Sequence, residues 1–158
     1  MAFGQRLARN RVREAGGDRF AMFDLRNDAG TPIYVHAKVC VVDDEWMTIG
    51  SDNFNLRSWT HDSELTCAVV DPDGDLVRNL RTTLWAEHLG LPQHDPRLVD
   101  LRGATALWAE RVGAPGSRIA RHEPAAVSAR KRRWARPAYR TFFDPDGRPR
   151  SLRGTARF

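Results

Sequence analysis

A segment of eighteen residues contains the side chains needed to cleave a phosphodiester without a metal ion. It reads H-x-K-x4-D-x6-G-S-x-N and comprises His36, Lys38, Asp43, Gly50, Ser51 and Asn53. Histidine is partly neutral near pH 7, so it can attack phosphorus or transfer a proton. Lysine, serine and asparagine donate hydrogen bonds that stabilise charge on phosphoryl oxygens. The long, fixed spacing favours a chemical site over a chance arrangement.

The elements that must position these residues are predicted to be strands. Residues 33–42 are rich in β-branched side chains and contain no Gly or Pro, which predicts a buried strand. Because side chains alternate between the two faces of a strand, His36 and Lys38 are expected to share one face. Residues 43–45 predict a turn and residues 46–49 a second strand, so the two strands form a hairpin.

The rest of the motif is expected to return to the same face. Gly50 ends the second strand and allows Ser51 and Asn53 to come back beside His36. Residues 64–70 predict a third strand that stops at a turn of Asp, Pro and Gly. Glu64 lies at the start of this strand, from which its carboxylate can reach an imidazole across the sheet.

These residues resemble the phospholipase D superfamily, whose members carry the HKD motif. The segments YVHAK, GSDNFNLRS and DSE, at residues 34–38, 50–58 and 62–64, are similar to its lipid-acting branch. That branch includes phospholipases D, cardiolipin synthases and related phosphatidyltransferases. Residues 20–90 resemble the C-terminal half of an enzyme with two such motifs.

The resemblance implies a phosphohistidine mechanism in which one histidine is the nucleophile and a second is the general acid. It implies that His36, Lys38 and Glu64 are catalytic, with Glu64 fixing the imidazole tautomer. Lys38, Ser51 and Asn53 would bind the phosphate.

The role of His36 within such a pair stays open. In the C-terminal half of a two-motif enzyme it would be the general acid and base, whereas in a symmetric homodimer the two copies would be equivalent before substrate binds. Asp43 and Gly50 are expected to support the site. Arg57 either binds phosphate or caps a helix and covers the surface.

Further along the chain the pattern predicts helices. Leu76, Leu80 and Leu84 recur at helical spacing, with Val77 and Trp85 widening the stripe. This helix is expected to start at an aspartate of residues 73–75 and to end at Gly90. Residues 95–112 predict one or two further helices.

Taken together, these elements predict an α/β fold: a mixed β-sheet flanked by helices, within a phospholipase D-like domain that is incomplete on its N-terminal side. Residues 1–116 are assigned to the partial catalytic domain. Residues 117–158 are assigned to a basic, partly disordered tail. Since only 35 residues precede His36, strands are expected to be missing on one side, which leaves an exposed sheet edge.

Positive charge is concentrated in that tail. Residues 117–158 hold twelve Lys/Arg and three Asp/Glu, a net charge of +9, whereas residues 1–116 carry a net charge of −4. The run of basic residues and tryptophan at 130–136, followed by Tyr139, Phe142 and Phe143, is suited to an anionic bilayer. Contact with nucleic acid is the weaker alternative, and a solvated arm without a partner is a third.

The cysteines, the histidines and the lack of a long apolar run further limit the class of protein. Cys40 and Cys67 both fall in predicted strands, which favours small buried side chains over a disulfide. The five histidines lack zinc-ligand spacing, so neither a metal nor another cofactor is expected. Because the first residues are basic and no long apolar run occurs, we expect a cytoplasmic protein that can associate peripherally with membranes.

The expected activity is phosphodiester cleavage or phosphatidyl transfer on phospholipids, with this chain supplying one HKD half-site. The second half-site would come from a homodimer partner or from a missing N-terminal half. Three alternatives remain: a homodimeric, metal-independent endonuclease of the same superfamily, an inactive truncated fragment that only binds membranes, and a half-enzyme that needs a separate partner chain.

Overall fold

The structure is a computed structural model that describes residues 2–124, 128, 135, 138–153 and 155. The helices are α1 (Ala2–Gly16), α2 (Leu56–Thr60), α3 (Asp75–Leu89) and α4 (Leu101–Arg111). The strands are β1 (Phe23–Arg26), β2 (Pro32–Ile33), β3 (Lys38–Val42), β4 (Trp46–Gly50), β5 (Thr66–Val70) and β6 (Ile119–Arg121). Short 3-10 turns span Gly17–Arg19, Pro96–Leu98 and Arg150–Leu152, and a π-helical turn spans Tyr139–Phe143. The predicted combination of helices and β-structure is therefore confirmed.

The chain divides into two compact units. The first comprises Met1–Ala21, Asp52–Leu65 and Glu123–Phe158 and is called the helical unit below. The second comprises Met22–Ser51 and Thr66–His122 and is called the sheet unit. The sheet unit contains every strand given above, together with α3 and α4.

The strands of the sheet unit form two three-stranded sheets in which each described pair is antiparallel. One sheet has the order β3-β4-β5 and the other the order β2-β1-β6. In the first sheet, Lys38 of β3 lies opposite Gly50 of β4, which lies opposite Thr66 of β5. Among the described strands β3 has β4 as its one partner, so its other side is an edge.

The single strand predicted over residues 33–42 is wrong. Its first residue belongs to β2, which pairs with β1, and its last five residues form β3, which pairs with β4. Residues 34–37 cross from one sheet to the other and have no strand partner in the described chain. A strand requires a neighbour for its backbone groups as well as a favourable composition, and these four residues lack that neighbour.

The predicted boundaries of α3 are confirmed, and local chemistry explains both ends. The carboxylate of Asp71 accepts hydrogen bonds from the backbone N–H groups of Leu76 and Val77, at 2.8 and 3.0 Å. It thereby satisfies two donors of the first helical turn. At the other end Gly90 adopts a left-handed conformation with φ of 63°, which glycine tolerates without strain.

The inward face of α3 differs from the predicted leucine stripe. Leu76 is 58% exposed, whereas Val77, Arg81, Ala86 and Leu89 are buried. The guanidinium of Arg81 binds the carboxylate of the buried Asp44 through two hydrogen bonds of 2.6 and 2.8 Å. Because of this ion pair, a charged residue lies on the buried face of α3. A pattern of hydrophobic residues does not predict such a position.

The core of the sheet unit lies between the helices and the second sheet. Its buried members are Ala86, Leu89, Leu98, Ala104, Leu107 and Ile119. Trp108 and Val112 pack against this cluster. Because Ile119 is 4% exposed and β6 pairs with β1, the folded region extends beyond residue 116.

The two cysteines and the aromatic residues after the basic run differ in exposure. Cys40 in β3 is partly buried and Cys67 in β5 is exposed, and both are free thiols. Residues 130–134 and 136 of the basic run lie outside the described residues, whereas Phe142 and Phe143 are described and exposed. Within the described part of the chain, no helix has the length and apolar character needed to span a membrane.

Candidate active site

His36 lies in the segment that connects β2 to β3, and its side chain is exposed to solvent. The imidazole stacks on the ring of Tyr34, with centroids 5.9 Å apart and planes inclined by 29°. Tyr34 is itself 80% exposed. The histidine is therefore accessible to a substrate and contacts an aromatic ring on one side.

Lys38 is the first residue of β3 and is fixed at both its backbone and its side chain. Its backbone lies opposite Gly50 of β4. Its Nζ donates a hydrogen bond of 2.7 Å to the backbone carbonyl oxygen of His36. This bond restrains the residue that carries the imidazole, and an ammonium has two further N–H groups that can donate to an anion.

Asp43 occupies the turn between β3 and β4. Asp43 and Asp44 have φ values of 53° and 60°, and the N–H of Glu45 donates to the carbonyl of Val42 at 3.1 Å. Two left-handed residues in succession form a type I′ turn, whose twist suits a β-hairpin. The predicted hairpin is thus confirmed. Asp43 is exposed, whereas its neighbour Asp44 is 5% exposed and binds Arg81.

Gly50 and Ser51 complete the part of the motif that belongs to the sheet unit. Gly50 is the last residue of β4, as predicted, and the ladder places it between Lys38 and Thr66. Ser51 follows it directly and is exposed.

Asn53 belongs to the helical unit and precedes α2. Its side-chain nitrogen lies 3.5 Å from the hydroxyl oxygen of Ser58, and its side chain is exposed. The next polar residue, Asn55, caps α2 by accepting a hydrogen bond of 2.8 Å from the N–H of Ser58. The amide of Asn53 therefore stands at the start of a capped helical turn.

Arg57 and Glu64 also lie in the helical unit. The Nε of Arg57 donates to the carboxylate of Asp62 at 2.8 Å, and its backbone N–H donates to Asp144 at 2.7 Å. The hydrogen bond to Asp62 raises the pKa of Arg57, and the negative charge of the partly buried Glu64 adds to that shift. Arg57 is thus bound to an acidic neighbour within its own unit.

The residues predicted to form the site are divided between the two units. His36, Lys38, Asp43, Gly50 and Ser51 belong to the sheet unit, whereas Asn53, Arg57 and Glu64 belong to the helical unit. Over the residues that the structure describes, no group of three or more His, Cys, Asp or Glu side chains is arranged to hold a metal ion.

Comparison with protein families supports the resemblance carried by the motif. The family model described as phospholipase D matches residues 13–128, which is more than half of the chain. This chain belongs to the phospholipase D family. The matched residues include the whole segment from His36 to Glu64 and every strand from β1 to β6.

Individual relatives are similar over a shorter segment. Phospholipase D C of Dictyostelium discoideum is 44% identical over 86 residues, which cover 43% of this chain and 5% of that protein. Phospholipase D alpha 1 of Spuriopimpinella brachycarpa is 42% identical over 69 residues, covering 37% of this chain and 8% of its own length. Phospholipase D beta 2 of Arabidopsis thaliana is 41% identical over 71 residues, which again cover 37% of this chain and 8% of that protein. The chain thus spans less than a tenth of the length of these curated relatives, and no solved structure matches it.

Two contacts within this phospholipase D-family chain were not anticipated from its sequence. The first is the stack of Tyr34 on His36, for which the sequence offers the i, i+2 spacing of two rings as a signal. The second is the Asp44–Arg81 pair, which joins residues 37 positions apart. Adjacent aspartates in a turn give no sign of which one is buried, so this pair could not be identified from the sequence.

Proposed function

We propose that this chain takes part in phospholipase D-type chemistry, namely phosphodiester cleavage or phosphatidyl transfer on phospholipids. The observation that carries the proposal is the exposed imidazole of His36, whose backbone carbonyl oxygen accepts a hydrogen bond from the ammonium of Lys38. This pair supplies a group able to bond to phosphorus or to carry a proton, beside a cation for phosphoryl oxygens. Membership of the phospholipase D family supports phosphate as the reacting group.

The proposed reaction needs two histidines, of which this chain contributes one. In the first step an imidazole nitrogen attacks phosphorus, the bond from phosphorus to the headgroup oxygen breaks, and the second histidine protonates the departing alcohol. In the second step water or another alcohol attacks phosphorus, the bond from phosphorus to the imidazole nitrogen breaks, and the attacking group passes its proton to that second histidine. The partner histidine would come from a second copy of this chain or from another polypeptide segment.

Other residues of the motif have supporting roles in this proposal. Lys38 and Asn53 would donate hydrogen bonds to the phosphoryl oxygens where charge accumulates, and Ser51 would add a hydroxyl donor. Glu64 would orient the imidazole and stabilise its protonated form. Asp43 would act indirectly, since it forms the turn that joins β3 to β4.

The test is transphosphatidylation by the purified chain. We expect phosphatidylethanol to form from phosphatidylcholine and ethanol, equally with and without EDTA, and to disappear in His36→Ala. His94→Ala is the matched control, because His94 is an exposed histidine outside the motif. Its product yield should equal that of the unmodified chain.

The same assay separates the alternatives. Absence of product at every protein concentration, together with monomeric elution, would refute a self-sufficient enzyme and favour an inactive fragment. Cleavage of plasmid DNA in EDTA by a dimeric species, without lipid turnover, would instead favour a metal-independent endonuclease. Product formed only after a second chain is added would favour a half-enzyme.

A further inference from the structure

The helical unit contains a cleft of about 460 Å³ that the proposed chemistry does not use. Three segments far apart in sequence form its walls: one face of α1, the residues around α2, and residues 139–153. Its apolar lining consists of Leu7, Ala8, Phe54, Leu56, Trp59 and Tyr139. The volume lies within the range of small-molecule sites, and an apolar lining with a few polar groups is their usual composition.

The aromatic side of this cleft contains a pair of rings in contact and a tyrosine packed on α1. The rings of Phe54 and Trp59 meet edge to face with centroids 5.8 Å apart. Tyr139 lies directly against the backbone of Gly4 in α1, where a Cβ atom would overlap its ring. Burial, followed by the charge of Asp144, raises the pKa of the Tyr139 phenol, so this wall is uncharged at neutral pH. Aromatic rings in such a wall offer a large surface for an apolar chain.

The charged side of the cleft has an excess of cations. Arg11, Arg148 and Arg153 line it together with Asp144 and Asp146. Asp146 accepts two hydrogen bonds from Arg148, at 2.9 and 2.8 Å, and this partner lowers the pKa of its carboxyl to about 2. Because the charges of Arg148 and Asp146 cancel, the remaining lining carries two positive charges, on Arg11 and Arg153, and one negative charge, on Asp144.

The two remaining arginines differ from Arg148 in their contacts. The side chain of Arg11 is exposed and forms no hydrogen bond or ion pair within the part of the chain that the structure describes. Arg153 donates its Nε to the carbonyl of Arg148, a neutral acceptor, at 2.9 Å. A carboxylate oxygen of Asp144 accepts the backbone N–H of Arg57. Neither guanidinium forms an ion pair with a carboxylate among the described residues, although the charge of Arg153 also helps to lower the pKa of Asp146.

We propose that this cleft binds a single-chain amphiphile with a phosphate monoester headgroup. The chain would lie against Phe54, Trp59 and Tyr139, and the phosphate would contact Arg11 and Arg153. Guanidinium groups bind phosphate oxygens through paired, charge-assisted hydrogen bonds, and a dianion matches two of them. No bond is made or broken, so this binding does not depend on the phospholipase reaction.

A quaternary ammonium group is the main competitor for an aromatic site of this kind. The charges of the cleft oppose it, because the carboxylate of Asp146 is already paired with Arg148 and two arginines face a single remaining aspartate. The headgroup charge therefore decides between the two ligands.

Calorimetric titration of the whole chain with monodecyl phosphate, below its micellar concentration and at low salt, tests the proposal. We expect saturable binding that the double variant Arg11→Gln/Arg153→Gln weakens at least tenfold. Binding of uncharged 1-decanol should be unaffected by that variant, whereas Phe54→Ala should weaken the binding of both ligands. The control Arg102→Gln/Arg121→Gln changes two exposed arginines of the sheet unit and should leave both affinities unchanged.

Several outcomes would overturn the proposal. Decyltrimethylammonium bound as tightly as monodecyl phosphate would show that the aromatic rings select a cation. Decanoate bound equally well would exclude a specific phosphate site. The absence of binding heat at millimolar ligand, or an unchanged affinity in the double variant, would contradict it directly. Since the side chains of Arg11, Phe54 and Arg153 are exposed, the variants should keep the fold, which circular dichroism can verify.

Discussion

His36 is restrained by the residues two positions before and two positions after it. Tyr34 stacks on its imidazole, and the Nζ of Lys38 binds its backbone carbonyl. Both contacts act where the chain lacks strand hydrogen bonds, between β2 and β3. An exposed loop would otherwise sample many conformations, so these contacts reduce the number of imidazole orientations that a substrate meets.

The contribution of Tyr34 can be measured with Tyr34→Leu. Aromatic pairs contribute about 0.5–1.5 kcal/mol beyond simple burial, so we expect phosphatidyl transfer to fall by about two- to tenfold. Because the ring is 80% exposed, the free energy of unfolding should fall by no more than the about 0.5–1.5 kcal/mol of the stack itself. Tyr34→Phe keeps the ring and serves as the matched control.

A nuclear magnetic resonance readout makes that test independent of turnover. The ring current of Tyr34 shifts the imidazole protons of His36, and this shift should persist in Tyr34→Phe and vanish in Tyr34→Leu. Identical imidazole resonances in all three proteins would show that the stack is not formed in solution.

The two adjacent aspartates show how far a motif can be interpreted from sequence. Asp43 holds the motif position and is exposed, whereas Asp44 is buried and paired. Residue types and spacing identify the motif, because the chemistry of phosphate transfer limits which side chains can serve. Burial depends on a partner 37 residues away, and a local pattern contains no information about that partner.

At the level of elements, the ends of α3 agree with the prediction, and its inward face agrees only in part, since Val77 is buried and Leu76 is exposed. Its ends depend on groups within a few residues, namely the Asp71 carboxylate and the left-handed Gly90. Its face depends on what the helix packs against, and the buried Asp44 turns Arg81 inward. The strand over residues 33–42 failed for a similar reason, since two different sheets compete for its two ends.

The Asp44–Arg81 pair makes a strong prediction for stability. Arg81→Met would leave the Asp44 carboxylate buried without its main partner, and removing one member of a buried pair costs about 3–5 kcal/mol. It would also remove hydrogen bonds to the carbonyls of Leu98 and Val99. We therefore expect a loss of this size in the free energy of unfolding, measured by urea denaturation.

A neighbouring arginine provides the control for that experiment. Arg78 lies 3.7 Å from the same carboxylate, but its side chain is 40% exposed. An exposed pair contributes less than about 1 kcal/mol, so Arg78→Gln should have a small effect. Similar losses in Arg78→Gln and Arg81→Met would contradict a dominant role for the buried pair.

At the scale of the whole molecule, family membership rests on one contiguous match that includes residues of both units. The sequence supplied the residue types and the hairpin that places Lys38 opposite Gly50. The sequence did not predict β6, the outer strand that pairs with β1 in the second sheet. A strand of three residues with flanking charges gives only a weak sequence signal. The folded region therefore includes part of the segment expected to be a tail, which changes how membrane binding must be tested.

Membrane binding by the basic run is best tested by substitution, since deletion of residues 117–158 would remove Ile119 from the core. The variant replaces the five basic residues of the run with glutamine: Arg130, Lys131, Arg132, Arg133 and Arg136. Each basic residue near an anionic bilayer contributes about 1 kcal/mol, a factor of about five in partitioning, so flotation with phosphatidylserine vesicles should fall more than a hundredfold. Pure phosphatidylcholine vesicles are the control, and high salt should reproduce the loss because it screens the same charges. Equal flotation of the variant and the unmodified chain on anionic vesicles would show that this run does not bind the membrane.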